Sequence, residues 1–335
     1  MRESWRKLTA LRYLANAIEN LSKEIRVKQD DDVIEVREPF ESGQAAAAAP
    51  AMATTTSSLF RVDIAARSHP GNLARLNEDH YLVVRVERSL QTVLSNLPES
   101  ILPRRFDETA HGMLVADGLG GMPAGNVASA AAISKLVELA VNTPDWIMRM
   151  SRRKATVVKQ RMVERFRKVD EALRQNADDE SGITGMSTIT VALSLGPDLF
   201  LAHLGDSRAY LLRGDKFRQL TRDHTLAQAM IDAGIGEAEN ALVRGMRRVL
   251  TAALGMAQAQ VEPEVQHLQL QDGDQLLLCT DGLIEAIDEG VIESIVRRAG
   301  SAAEACEGLI EAALNNNGAD NVTVIVARYG FPQPA

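Results

Sequence analysis

Acidic residues beside short apolar runs are the part of this 335-residue chain best suited to chemistry. Each stands where a strand is predicted to end or begin, and the set is Glu78 with Asp79, Asp117, Asp206, Asp281 and Asp320. Strand ends of one sheet lie along one edge, so carboxylates far apart in sequence can meet there. Carboxylates at one place repel unless cations hold them, and hard divalent cations prefer oxygen ligands. We therefore predict a site for two Mg²⁺ or Mn²⁺ ions that binds a phosphoryl group and activates water.

The strongest local signal is the run DGLGG at residues 117–121. A carboxylate that bridges two cations needs close backbone approach, which glycine allows. The alternative is a dinucleotide-binding loop, but its G-x-G-x-x-G spacing fails where Pro123 or Ala124 falls. That fingerprint also has no aspartate before its first glycine. The sequence therefore favours a metal site here.

Each remaining acidic position has a simpler interpretation when it is taken alone. Asp281 and Asp320 are typical turn or cap residues, and Asp206 could close a tight hairpin. Glu78 and Asp79 could be an ordinary surface pair before a strand. It is the presence of all five positions in one chain that points to a common site.

The elements that must position these residues are strands grouped around helices. Strand-like runs recur from Phe60 to Tyr329, and helical patterns cover 123–141, 146–175 and, in two pieces, 288–315. Residues 91–108 contain two prolines and are predicted to be an inserted loop or hairpin tip. Short turns between the strands favour antiparallel sheets packed on helices over a doubly wound parallel sheet.

Composition excludes several classes of function. The formal net charge of −8 argues against nucleic acid or a membrane surface as a general partner. Cys279 and Cys306 are the only cysteines, too few for a disulfide framework, and we expect a reducing cytoplasm. We expect no secretory signal and no membrane span, because no stretch approaches about 20 apolar residues.

The first 58 residues are predicted to lie outside the catalytic domain. Residues 1–42 are predicted to be a helical extension, with an amphipathic helix near 5–25, and 43–58 a low-complexity linker. The catalytic domain is predicted at 59–330. The N-terminal helix could contact a partner, pair with a second copy of the chain or lie against its own domain, and simple disorder is the remaining alternative.

The order of motifs resembles one family, the type 2C metal-dependent serine/threonine protein phosphatases (PPM family) in their bacterial form. The similarity runs from about Phe60 to Tyr329, and the motifs are NED, DGLGG, GMSTITVA, HLGDSRAYLLR, LTRDHT, LTAALG, CTDGL and ADNVTVIV. The resemblance implies an α+β fold, an αββα sandwich of two mainly antiparallel sheets flanked by helices, with the N-terminal helical extension added.

The resemblance also implies roles for individual residues. Asp117 corresponds to the ligand that bridges two metals, and the Gly118 carbonyl corresponds to a ligand of the second metal. Asp281 and Asp320 correspond to ligands of the first metal. Glu78 corresponds to a ligand of the second, directly or through water.

Further positions correspond to supporting roles. Asp206 matches a position that helps to hold a third, weaker metal. Asp79, Asn321 and Ser207 match hydrogen-bonding groups that orient the ligands. The segment 222–248 corresponds to a flap beside the site that influences substrate choice.

The phosphate-binding arginine is the one clear departure from the family pattern. It usually stands four residues before the glutamate of NED, where this chain has Ala74, and Arg75 comes one place later. A shift of one residue turns a strand side chain to the other face, unless a bulge near 71–72 restores it. Arg75 is the candidate for phosphate binding, and Arg67 is a further one. Loss of the guanidinium is expected to raise KM.

The implied activity is hydrolysis of phosphoserine and phosphothreonine in proteins by a metal-activated water, which reverses serine/threonine kinase signalling. By residue type alone, His80, His111 and His203 could protonate the leaving group, although structural roles are favoured. A competing hypothesis is a catalytically weak phosphatase-like module that binds a regulator. A dinucleotide-binding enzyme would need a parallel βαβ unit around residues 115–139.

Overall fold

The structure is a computed structural model that describes residues 34–36, 60–74, 76–94, 105–120, 124–142, 152–177, 185–235, 237, 240–256, 262–316 and 318–331. Arg75 and the predicted N-terminal helix lie outside these residues. The described strands and helices all belong to one compact unit, residues 34–335.

Thirteen strands are found among the described residues. In chain order they are β1 Ile34–Val36, β2 Arg61–His69, β3 His80–Gln91, β4 Arg105–Ala116, β5 Gly118–Leu119, β6 Met186–Ser187, β7 Ile189–Leu195, β8 Asp198–Leu204, β9 Arg208–Arg213, β10 Lys216–Gln219, β11 Glu264–Gln269, β12 Gln275–Cys279 and β13 Val322–Gly330. They form a six-stranded sheet in the order β1-β2-β13-β12-β9-β10, a five-stranded sheet in the order β11-β8-β7-β4-β3, and a small pair, β5-β6. Neighbouring strands pair antiparallel, as predicted.

Helices flank the two large sheets. Those in the described residues are α1 Ala124–Val141, α2 Arg152–Ala177, α3 Leu226–Asp232, α4 Ala241–Gly245, α5 Asp281–Ala286, α6 Glu289–Arg298 and α7 Ala302–Asn315. The prediction of two helical pieces between 288 and 315 agrees with α6 and α7.

Alternation of apolar residues along the strands builds the four layers. In β12, Leu276 and Leu278 point into the core between the two sheets, whereas Leu277 and Cys279 point toward α5, α6 and α7. On the other side of the molecule, α1 and α2 pack on the outer face of the five-stranded sheet. Because successive side chains of a strand face opposite sides, one apolar strand serves two cores. The predicted αββα sandwich is confirmed.

Helix α1 is long and apolar enough to cross a membrane by length and composition, the one such helix among the described residues. Its side chains Ala132, Ile133 and Leu136 are buried in the core shared with α2 and the five-stranded sheet. This packing accounts for part of its apolar composition, since 33% of the helix is buried.

The first described strand belongs to a stretch that the sequence assigned to the helical extension. Residues Ile34–Val36 pair with Ile64–Ala66 and form the edge of the six-stranded sheet. The sheet therefore includes residues upstream of the predicted start of the domain at 59. The linker at 43–58 lies outside the described residues and stays a prediction.

Candidate metal centre

The five-stranded sheet brings two of the predicted aspartates to one edge. Asp117 directly follows β4, and Asp206 comes two residues after β8. The pairs His80↔Ala116, Val115↔Thr190 and Ile189↔Leu204 place the start of β3 and the ends of β4 and β8 at the same edge.

The six-stranded sheet contributes the other two aspartates. Asp281 is the first residue of α5, two residues beyond the end of β12, and Asp320 lies two residues before β13. Cys279 pairs with Val324, so the end of β12 lies beside the start of β13. The two aspartates therefore approach from one end of this sheet.

Electrostatics shows that the two edges meet. Burial and then the charge of Asp281, followed by those of Asp79, Asp206 and Asp320, raise the pKa of Asp117 well above its usual range. Burial and then the charges of Asp206 and Asp320 raise the pKa of Asp281 in the same way. Both shifts mean that the ionised carboxylates are costly here without a compensating positive charge.

The other acidic residues behave similarly. Burial and then the charge of Asp223 raise the pKa of Asp206 to about 7. Burial and then the charge of Asp320 raise the pKa of Glu78. Five segments of the chain thus bring carboxylates to one place.

Two buried threonines hold the side chain of Asp79 beside the other carboxylates. Its Oδ2 accepts hydrogen bonds from Thr280 Oγ1 at 2.8 Å and Thr323 Oγ1 at 2.7 Å. Burial nevertheless raises the pKa of Asp79 to about 6. Thr280 lies beside Asp281, so this network ties Asp79 to the start of α5 and to β13.

Asn321 links the two sheets at the cluster. Its Oδ1 accepts from the Glu78 N–H at 2.7 Å, and its Nδ2 donates to the carbonyl oxygens of Pro70 and Leu76. The Asn321 N–H donates to Asp320 Oδ1 at 2.8 Å. Asn321 therefore fixes the position of Glu78 relative to Asp320, as an orienting residue should.

Ser207, the third predicted orienting residue, lies under Asp117. Its Oγ is 2.8 Å from Thr188 Oγ1, and Thr188 Oγ1 accepts from the Asp117 N–H at 3.2 Å. The Thr188 N–H in turn donates to the Asp117 carbonyl oxygen. This buried network fixes the backbone of Asp117.

Gly118 lies where no side chain would fit. A Cβ at this position would collide with the Gly125 carbonyl oxygen and would lie 2.9 Å from the Glu78 carbonyl oxygen. Glycine is therefore required for the chain to pass this close to α1 and to the segment before β3. The same packing brings Gly118 beside Glu78.

These residues suit hard divalent cations, because the donors are carboxylate and carbonyl oxygens. Glu78 Oε1 and Asp79 Oδ1 are buried and have no hydrogen-bond partner in the described part of the chain. As the side chains stand, no three His, Cys, Asp or Glu residues of that part form a closed metal-binding group. The donor chemistry and the mutual repulsion fit two cations, and the ligand roles stay predictions.

The predicted arginines and histidines are placed as follows. Arg75 lies outside the described residues, and Arg67 pairs with Glu307 of α7 at 3.0 Å. His203 is fully buried, and burial lowers its pKa to about 3, so it is unsuited to donate a proton. His80 contacts Ser129 Oγ, and His111 packs against Phe60.

A cleft of about 920 Å³ opens beside the cluster. Its walls include Asp206 and Asp281, the flap residues Arg244 and Arg248, and Glu285 of α5. Arg208 also lines it, but its guanidinium is bound by Asp223 and Glu289. The cleft thus gives access to the carboxylates from the side of the predicted flap.

Sequence reasoning missed the residues that hold the ligands in place. Thr188, Thr280 and Thr323 lie in or next to strands, where threonine is a common strand former, so their type gives no signal. Arg248 stands four residues after Arg244, and that spacing was visible in the sequence. That Arg248 faces Glu285 was not visible in the sequence.

Comparison of sequences identifies relatives in bacteria. Residues 106–322 match the family of protein phosphatase 2C (PP2C). The serine/threonine protein phosphatase PstP of Mycobacterium tuberculosis is 35% identical over 229 residues, which are 66% of this chain and 42% of PstP. The phosphatase stp of Listeria innocua is 31% identical over 222 residues, which are 66% of this chain and 85% of stp. The chain thus spans less than half of PstP.

Comparison with solved structures identifies one of the same relatives, PstP. A crystal structure of PstP from M. tuberculosis has a TM-score of 0.63 at 30% identity and covers 81% of this chain and 98% of that one. The PstP catalytic domain in complex with two manganese ions has a TM-score of 0.62 at 29% identity, covering 81% and 99%. PP2C proteins are metal-dependent enzymes that act on phosphoproteins. By its fold and by the match over residues 106–322, this chain belongs to the protein phosphatase 2C family.

Proposed function

We propose that this protein hydrolyses phosphoserine and phosphothreonine in proteins and so reverses the action of serine/threonine kinases in a bacterial cytoplasm. One observation carries the proposal: burial, and then the charges of Asp281, Asp79, Asp206 and Asp320, raise the pKa of Asp117 well above its usual range. A cluster of this kind is suited to cations, and cations are suited to a dianionic phosphate monoester. The phosphatase relatives support the same reaction.

The metal ligands are proposed as follows. Asp117 would bridge two ions, with the Gly118 carbonyl and Glu78 on the second and with Asp281 and Asp320 on the first. Asp206 would help to hold a third, weaker ion. Two Mg²⁺ or Mn²⁺ ions held by these residues would neutralise charge on the phosphoryl oxygens and would lower the pKa of a water molecule for attack on phosphorus.

The protein's own contribution is to hold the carboxylates at fixed positions. Asp79, Asn321 and Ser207, with the threonines they contact, lock the backbone and side chains around Asp117, Glu78 and Asp320. Orienting groups of this kind commonly change metal affinity or activity about 10- to 100-fold when removed. The cleft along the flap admits the substrate from one side.

The cysteines do not offer a competing nucleophile. Cys279 and Cys306 are both buried, and burial raises the pKa of each thiol to about 12. A thiol is a good nucleophile only as the thiolate, so neither side chain is suited to form a phosphoenzyme. Direct attack by water needs no protein nucleophile.

The test is release of phosphate from a phosphothreonine peptide with Mn²⁺ or Mg²⁺, for the wild type, Asp117→Asn and Asp198→Asn. Asp198 is a buried aspartate at the other end of β8, where it contacts His267 at 2.7 Å, and it serves as the matched control. We expect Asp117→Asn to lower kcat about a hundredfold or more and Asp198→Asn to leave it within about threefold.

Two outcomes would contradict the proposal. The first is wild-type turnover that Asp117→Asn leaves unchanged. The second is a folded wild type that binds Mn²⁺ and releases no phosphate with either metal. That second result would favour the phosphatase-like binding module, for which Ala74 in place of the family arginine is the supporting feature.

A further inference from the structure

Arg248 presents a guanidinium group at the mouth of the cleft. It lies just beyond α4, within the predicted flap, and its side chain is 72% exposed. Its Nε donates to Glu285 Oε1 at 2.7 Å, and its Nη2 donates to Glu285 Oε2. The pairing is bidentate, so it fixes the plane of the guanidinium as well as its position.

Glu285 anchors this group on the side of the carboxylate cluster. Glu285 lies in α5, four residues after Asp281, so the two side chains share one face of the helix. After the dominant effect of Glu285, the charges of Asp320 and Asp281 also raise the pKa of Arg248. Arg248 therefore sits near two of the predicted metal ligands, and it lines the cleft together with Asp206 and Asp281.

The guanidinium has donors left over for an anion. Arginine carries five N–H donors, and the two bonds to Glu285 use two of them. The remaining three suit the oxygens of a phosphoryl group, whose geometry a guanidinium matches well.

Arg208, another arginine of the cleft, is already engaged. Arg208 donates to both oxygens of Asp223 and, through Nη1, to Tyr210 and Glu289. Its side chain is only 20% exposed. Arg208 is therefore held in the wall of the cleft, whereas Arg248 is exposed at its surface.

We propose that Arg248 binds the phosphoryl group of the substrate, and of the inorganic phosphate product, with Glu285 as the residue that positions it. The inference rests on the proposed function, because it assumes that the phosphoryl group is drawn to the carboxylate cluster by its cations. It assigns a phosphate-binding role to the flap.

The test uses inorganic phosphate and the Mn²⁺-loaded full chain. The affinity for phosphate is measured by calorimetry, and KM and kcat are measured with a phosphothreonine peptide, for the wild type, Arg248→Ala, Arg248→Lys and Arg244→Ala. Arg244 lies four residues earlier, lines the same cleft and is the matched control. Mn²⁺ affinity and Tm are measured for every variant.

We expect Arg248→Ala to raise both the Kd for phosphate and KM about tenfold or more, with a smaller change in kcat. The Kd and KM values of Arg248→Lys should fall between those of the wild type and Arg248→Ala, because lysine keeps the charge and loses the planar guanidinium. Arg244→Ala should change neither value more than about twofold. Glu285→Gln should weaken phosphate binding less than Arg248→Ala, and in the double variant it should add nothing further, as expected of a residue that acts through Arg248.

Unchanged phosphate affinity in Arg248→Ala would overturn the inference, whether or not Tm falls. A loss of phosphate affinity that follows a loss of Mn²⁺ affinity would overturn it too, because the effect would then come from the metals. Failure of the proposed function looks different. The wild type would release no phosphate from the peptide, whereas the dependence of phosphate binding on Arg248 would still be measurable.

Discussion

At the residue scale, the metal centre is a set of carboxylates whose mutual repulsion lowers the stability of the fold. Asp117 and Asp281 are both partly buried beside other carboxylates, and desolvation is the largest cause of their raised pKa values. An aspartate whose pKa is raised in the folded state is most stable protonated, so at neutral pH its ionised form destabilises the fold. Divalent cations would remove that cost, because they convert repulsion into coordination.

This cost predicts opposite effects of one substitution with and without metal. In EDTA at neutral pH, Asp117→Asn should raise Tm, by about 2–4 °C for each kcal/mol of repulsion removed. In the wild type, Mn²⁺ should raise Tm, and in Asp117→Asn that increase should be much smaller. Thermal unfolding followed by circular dichroism measures both. A variant that is less stable than the wild type in EDTA, yet equally stabilised by Mn²⁺, would contradict the assignment of Asp117.

How much of the centre the sequence predicted differs from residue to residue. The acidic positions and Gly118 were predictable, because several carboxylates at strand ends, together with a glycine beside one of them, are typical of a metal site. Thr280 and Thr323 were not, because they act only through contacts with Asp79 that link residues 201 and 244 positions apart. Ala74 stands where the family pattern has a phosphate-binding arginine, and we assign that role to Arg248. Nothing in the sequence indicated that Arg248 would lie opposite Glu285.

At the element scale, the strands carry the ligands and a buried polar layer supports them. His203 near the end of β8 is fully buried, with Nδ1 at 2.9 Å from Thr190 Oγ1, and its ring stacks on His224 at 5.0 Å. Burial, and then the charge of His224, lower the pKa of His203 to about 3. It is therefore a neutral structural residue, as the sequence favoured.

A buried neutral histidine makes stability depend on pH. In the unfolded chain the pKa of His203 is about 6.5, so its contribution is complete above about pH 6.5 and is lost as pH falls from there toward about 3. The loss amounts to at most about 1.4 kcal/mol per pH unit. Urea unfolding at about pH 7.5 and about pH 5 should show that the wild type loses more stability than His203→Asn. Equal losses in the two proteins would mean that His203 is protonated in the folded state.

The elements that sequence reasoning missed are the short ones. Strands β5 and β6 are two residues each, and α5 has six, so none is long enough to show a period in the pattern of apolar residues. Yet β5 carries Gly118 and α5 carries Asp281 and Glu285. The long strands and helices α6 and α7 were predictable because alternation and helical spacing persist over their length.

At the scale of the whole molecule, the site arises where the two sheets meet at one edge. Every proposed metal ligand and orienting residue lies between Glu78 and Asn321, within the compact unit of residues 34–335. Only β1, at Ile34–Val36, brings residues upstream of 60 into the described sheets. Residues 1–33 contribute no proposed residue to this site.

This arrangement predicts the effect of removing the N-terminus. A chain that begins at residue 34 should keep kcat/KM within about twofold, because no site residue or described strand is lost. A matched chain that begins at residue 60 also loses β1, and its Tm should fall because Ile64–Ala66 lose their strand partner. Steady-state kinetics and thermal unfolding measure the two effects. A fall of about tenfold or more in kcat/KM for the first chain would place residues 1–33 in catalysis or substrate binding.

The most direct test of the central claim is metal removal and return in a single preparation. Phosphate release from a phosphothreonine peptide is measured for the full chain after treatment with EDTA and again after addition of excess Mn²⁺. The strand-end carboxylates predict that release stops in EDTA and returns with Mn²⁺. Release that continues at the same rate in EDTA would contradict a metal-dependent centre built on Asp117, Asp281 and Asp320.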